Sequence, residues 1–144
     1  MKILVVFFFL SPLFCMADVM SNRYWSNSAC DGYIYHFDTS DNKYAIYSRL
    51  KVKDKHRGSY QSYQLTNGAM HKSGNNLIYS LTGNDLVGRH TVDFSSDHQV
   101  IFESAQYGRS VLVACDPQQA KRLIQEAEEH FKSCPKNVLN CKSQ

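Results

Sequence analysis

From about Trp25 to Cys115 the chain keeps a hydrophobic period of two, and turn-forming residues cut it every few positions. That combination confines it to short antiparallel strands joined by tight turns. Tyr33, Tyr35 and Phe37 alternate with Ile34 and His36, Tyr44, Ile46 and Ser48 with Ala45, Tyr47 and Arg49, and Leu77, Tyr79 and Leu81 with Ile78 and Ser80. Turn signals stand at Asp38-Thr39-Ser40-Asp41-Asn42, Gly58, Asn67-Gly68, Ser73-Gly74-Asn75-Asn76, Gly83-Asn84-Asp85, Ser95-Ser96-Asp97 and Gly108. They divide the zone into about seven or eight strands. No helical pattern separates these strands, so the expected form is a meander, and closing it into a barrel removes the exposed edges a flat sheet would carry.

The period changes after Cys115. Asp116 is an N-cap followed by Pro117 at the first helical position, and Ala120, Leu123, Ile124, Ala127 and Phe131 make one apolar stripe. Lys121, Arg122, Glu126, Glu128 and Glu129 take the other face, and Pro135 sets the end of the helix. The plain expectation for such a helix is that it packs on the barrel and covers a face or an opening. The fold class is thus mainly β: a small antiparallel meander barrel with one C-terminal amphipathic helix, stabilised by disulfides.

The N-terminus reads as an address. Lys2 precedes an apolar run from Ile3 to Phe14, and Cys15 and Ala17 stand where a signal peptidase reads small residues, which places the cut before Asp18. The run is short of the roughly 20 apolar residues that span a bilayer. Residues 1–17 are therefore expected to be removed. Residues 18–115 would form the barrel, and 116–144 a helix and tail belonging to the same domain.

Four cysteines remain after that cut: Cys30, Cys115, Cys134 and Cys141. In an oxidising compartment an even number reads as two bridges. Spacing allows three pairings. Cys30 with Cys115 is preferred because the two bracket the strand-rich zone, and Cys134 with Cys141 because they are close in sequence. A zinc site is disfavoured, since no Cys-x-x-Cys occurs and His130 is the one histidine beside a cysteine of the tail. No cofactor or metal is expected.

The most distinctive local feature is a row of cations at strict alternation: Arg49, Lys51, Lys53, Lys55 and Arg57, with Leu50 and Val52 between the first three. On a strand the cations share the face opposite the apolar residues. The row reads either as a solvated, edge-protecting face or as a landing surface for an acidic partner, with Tyr60 and Tyr63 of the next strand adding aromatic contacts. A sequence pI near 8.6 is too mild to call for nucleic acid. For catalysis, His36, His56, His71, His90, His98 and His130 fall in separate segments, and no nucleophile has an activating neighbour that spacing identifies. No catalytic residue is assigned.

A resemblance adds to this reading. Trp25 ahead of the first strand, Cys30, Phe37-Asp38 with Tyr44, Gly58-Ser59-Tyr60, Asn76-Leu77 with Tyr79, and Phe94-Ser95-Ser96-Asp97 with Val100 and Phe102 are similar to the strand grammar of small bacterial lipocalin-like (calycin-type) secreted barrels. The resemblance implies a barrel, a helix laid against it and a small-ligand pocket. Periplasmic inhibitors of animal-type lysozyme share Cys30-Asp31-Gly32 and Ser73-Gly74, but their Trp-x-Lys-Gly segment is missing here. Taken together, the expectation is an exported, non-enzymatic protein, periplasmic or secreted, that recognises or neutralises a protein with an acidic surface, as inhibitor and immunity proteins do. The alternatives are a carrier of a small apolar or amphipathic ligand and a small secreted hydrolase or nuclease. No membrane span is expected.

Overall fold

The computed structural model describes residues 23–133 except 28, 57 and 97. The signal-peptide reading, Arg57 and the Cys134–Cys141 pairing therefore lie outside the described residues. Eight strands follow one another: β1 (Tyr24–Ser26), β2 (Tyr33–Asp38), β3 (Lys43–Asp54), β4 (Gly58–Lys72), β5 (Ile78–Thr82), β6 (His90–Asp93), β7 (Gln99–Ser104) and β8 (Gly108–Ala114). Helix α1 (Pro117–Ser133) comes last. Every strand pairs antiparallel with the next, and β8 returns to β1, so the meander closes. The expected barrel and terminal helix are present, an arrangement consistent with a calycin-like fold.

Two local expectations need correction. Trp25 lies within β1 rather than ahead of the first strand. Asn67-Gly68 is no turn: both residues sit inside β4, paired with Ala45 and Tyr44. Glycine is used there because two backbones come close. A Cβ on Gly68 would fall 2.0 Å from the Thr82 carbonyl oxygen, where β4 meets the end of β5. Gly58 and Gly108, by contrast, do begin strands after turns, with φ of 73° and 76° that non-glycine residues rarely adopt.

Register sorts the side chains. Tyr35 and Phe37 of β2, Tyr44 of β3, Met70 of β4, Tyr79 and Leu81 of β5, Val92 of β6, Val100 and Phe102 of β7 and Leu112 of β8 point inward with Trp25 and Phe94 to form one core. Phe94 meets Phe37 and Tyr79 edge to face, at centroid separations of 5.5 and 5.6 Å, a favourable geometry for aromatic quadrupoles. A second cluster lies outside the wall, where α1 buries Ala120 and Leu123 against Ile34, Cys30 and Cys115, with Tyr24 and Tyr47 packed alongside. The helix thus covers a face of the barrel, not an opening. Its start is capped as the sequence indicates, since the Gln119 amide donates to Asp116 Oδ1 at 2.9 Å.

Cys30 and Cys115 are bonded, with their Cα atoms 5.8 Å apart. The bridge ties the β1–β2 loop to the β8–α1 junction under the helix. Among the described residues, no helix is long and apolar enough to cross a membrane.

Candidate functional site: the open end of the barrel

The loops β1–β2, β3–β4, β5–β6 and β7–β8 emerge at one end, and that end differs in chemistry from the other. Inward positions near it carry Ser48, Gln64, Thr66, His90 and Ser110 where the far end carries Phe37, Tyr44, Met70, Phe94 and Leu112. The interior is therefore filled at one end and open at the other. A cup of about 400 Å³ results, with aromatic walls from Tyr33, Tyr35, Phe102 and Tyr107 and with Asp85 and Leu86 contributed by the β5–β6 loop.

Hydrogen bonds brace the rim. Ser104 Oγ accepts from the amides of Gln106 and Tyr107 at 3.1 and 3.0 Å, which shapes the β7–β8 turn. The Ala105 amide donates to the Arg89 carbonyl at 2.8 Å and so links that turn to the β5–β6 loop. His90, 1 % exposed, places Nε2 3.1 Å from the Val87 carbonyl. A carbonyl only accepts, so Nε2 carries a proton and donates it to Val87. The ring's Nδ1 has no hydrogen-bond partner. At the loop tips Val87 and Tyr107 are about three-quarters exposed, at 74 % and 75 %.

The cationic row stands on a ribbon at this same end. β3 and β4 remain in register from Lys43↔Ala69 to Asp54↔Gly58, but β2 accompanies β3 only as far as Ser48, and β5 joins β4 only from Ala69 to Lys72. Beyond Ser48 the hairpin runs as two strands, six residues of β3 covering about 20 Å. Lys51 and Lys53 are exposed on its outer face and Lys55 in its turn.

Arg49 and Tyr63 belong to a different structure. They are register partners, and both face α1. Arg49 Nη1 is 2.8 Å from Glu126 Oε2, and its Nε donates to the Asp31 carbonyl at 3.0 Å. The Tyr63 hydroxyl lies 2.9 Å from Gln61 Oε1 and 3.4 Å from Glu126 Oε2, while its ring meets His130 at a centroid distance of 5.1 Å. Burial, with the Glu126 charge next, raises the Tyr63 phenol above its ordinary value. This pair anchors the helix to the root of the ribbon. Tyr60 pairs with Val52 and so shares the face of Leu50, opposite the lysines.

The residues lining the cup escaped sequence reasoning, although a signal was there. Ser48 closes an otherwise apolar row of Tyr44 and Ile46, and Gln64 and Thr66 occupy the matching face of β4. A polar end to an inward-facing row marks an interior that stays open. The histidines remain dispersed, with His90 the one that lines the cup, and among the described residues no group of three or more His, Cys, Asp or Glu could hold a metal ion.

The buried phenols give a pH prediction. Burial, with Tyr33 a lesser cause, pushes Tyr35 up to about 12, and burial followed by the Asp85 charge pushes Tyr44 up to about 12, both from an ordinary value of 10.0. The unfolded chain releases these protons near pH 10 and the folded chain only near 12. Their contribution is therefore fully present below about pH 10 and is lost as pH rises toward 12. Melting temperatures across that range should fall, and the Tyr35→Phe/Tyr44→Phe variant should show a shallower decline. Equal slopes would show that other groups govern alkaline unfolding.

Against known proteins, no family model matches the chain, and neither a curated protein nor a solved structure matches it.

Proposed function

We propose that the chain is an exported, non-enzymatic binding protein of the small lipocalin-like type, which uses the open end of its barrel to recognise a protein with an acidic surface. The observation that carries this reading is the β3–β4 ribbon. It extends beyond the barrel, presents Lys51, Lys53 and Lys55 in series to solvent, and stands at the end where Val87 and Tyr107 are exposed. A solubilising face needs no such extension. Like charges in a row raise the local concentration of an acidic partner and speed its encounter, while exposed apolar tips supply contact area once it has docked. Export is supported by the apolar leader and by a disulfide, which persists in oxidising compartments. The polar cup gives a carrier role its own support.

The test compares the chain from residue 18 with its Lys51→Ser/Lys53→Ser/Lys55→Ser variant, both immobilised and exposed to periplasmic and culture extracts. These side chains are exposed, so the fold should lose no more than about 0.5 kcal/mol for each substitution. Association of the retained partner should slow several-fold at low salt, about threefold or more, and the difference should shrink at high salt. A partner that binds both forms at the same rate under both conditions would rule out the ribbon as the landing surface.

A further inference from the structure

We propose that the cup at the open end binds a small organic cation, an amine carried on an aromatic or apolar body. This goes beyond the role given to the ribbon and does not depend on it. Three features of the cup converge. Its walls are the rings of Tyr33, Tyr35, Phe102 and Tyr107, whose negative faces attract a cation and whose area accepts a flat apolar body. Its one formally charged wall residue is the acidic Asp85, and no Lys or Arg lines it. His90, the histidine of the same wall, has its Nε2 proton committed to the Val87 carbonyl, so that proton is not free for an anion.

The carboxylate asks for a donor: ionised, it only accepts, and an ammonium group has three donors and no acceptor. An anionic ligand would meet Asp85 with no cation to offset it. A purely apolar ligand would gain nothing from the Asp85 charge or from the attraction of the ring faces for a cation. A cavity of about 400 Å³ lies toward the small end of the range for ligand sites, roughly 300 to 1,000 Å³. It suits a molecule on the scale of a substituted aromatic amine.

Tryptamine, tryptophol and indole-3-acetate share a ring system and differ in the charge of the side chain, so they make a suitable probe series. Each is titrated calorimetrically into the disulfide-intact chain from residue 18, with no protein partner present. Tryptamine should bind about tenfold more tightly than tryptophol, the scale of one desolvated cation–π contact and a nearby carboxylate. Indole-3-acetate should bind most weakly. Asp85 is exposed on a loop, so Asp85→Asn should melt like the parent and lose most of the preference for the amine while keeping its affinity for the alcohol. The ring signals of His90 in the proton spectrum should shift on addition of tryptamine. Equal affinity for the three probes, no binding of any of them, a preference that survives Asp85→Asn, or tryptamine binding that leaves the His90 signals in place would each overturn the assignment.

Discussion

Replacing Cys30 and Cys115 together by alanine is expected to destabilise the chain by about 4.5 kcal/mol, the value the chain-entropy model gives for so long a loop. The bridged residues are 85 positions apart. For a domain of this size that corresponds to a fall in melting temperature of roughly 20 °C. The barrel makes the loss larger in effect than a generic bridge would. β1 and β8 close the cylinder with only two register pairs, Trp25↔Ala114 and Ser26↔Val113, against twelve between β3 and β4. The bridge reinforces this short seam, since Cys115 directly follows the closing strand and its amide donates to the Tyr24 carbonyl at 2.7 Å. Alanine is the right replacement because both sites are buried among Ile34, Ala120 and Leu123, and a serine hydroxyl there would add a desolvation cost of its own. Urea unfolding of parent and double variant measures the difference. An unchanged midpoint would mean that the two-pair seam holds without the bridge.

Gly68→Ala should be the most damaging single-methyl change in the sheet, at about 3 kcal/mol. The added carbon would sit 2.0 Å from the Thr82 carbonyl oxygen and 3.0 Å from Gly83 Cα. Both obstacles are backbone, so no side-chain rotation relieves them. β4 and β5 would have to part where they begin to pair, at Ala69↔Thr82. Gly74 provides the control. It lies in an open turn at φ 61° with nothing within 4 Å of an added Cβ, so Gly74→Ala carries only the cost of an unfavourable backbone conformation, roughly 1 to 2 kcal/mol. If both variants unfold at the same denaturant concentration, close approach at Gly68 is not the constraint that the geometry indicates.

These two cases show where the sequence could be read and where it could not. Alternation at Tyr33, Tyr35 and Phe37, and again at Tyr44, Ile46 and Ser48, identifies strands because side chains on a pleated strand point to opposite faces in turn. Asp116-Pro117 with the stripe from Ala120 to Phe131 identifies the helix for an equally local reason, the cap and the 3.6-residue period. The Cys30–Cys115 preference also held, because residues that bracket a closed meander are brought together when its last strand returns to its first. Asn67-Gly68 failed as a turn signal. Glycine serves both tight turns and close backbone approach, and only the position of a strand from elsewhere in the chain distinguishes them.

The sequence by itself determined the meander, its terminal helix and the face that Arg49, Lys51 and Lys53 share, since each follows from periodicity and capping within a few residues. Tertiary structure decided what those side chains do. Glu126 lies 77 positions from Arg49 and is brought to it only when α1 folds back on β3, which turns one cation of the row into a helix anchor and leaves Lys51, Lys53 and Lys55 to solvent. The cup was equally invisible locally. Its wall gathers Tyr33, Asp85, His90 and Tyr107 from different strands and loops, and no spacing along the chain states that four residues will face one another across a barrel. Period and capping are properties of neighbours, whereas a cavity is a property of closure.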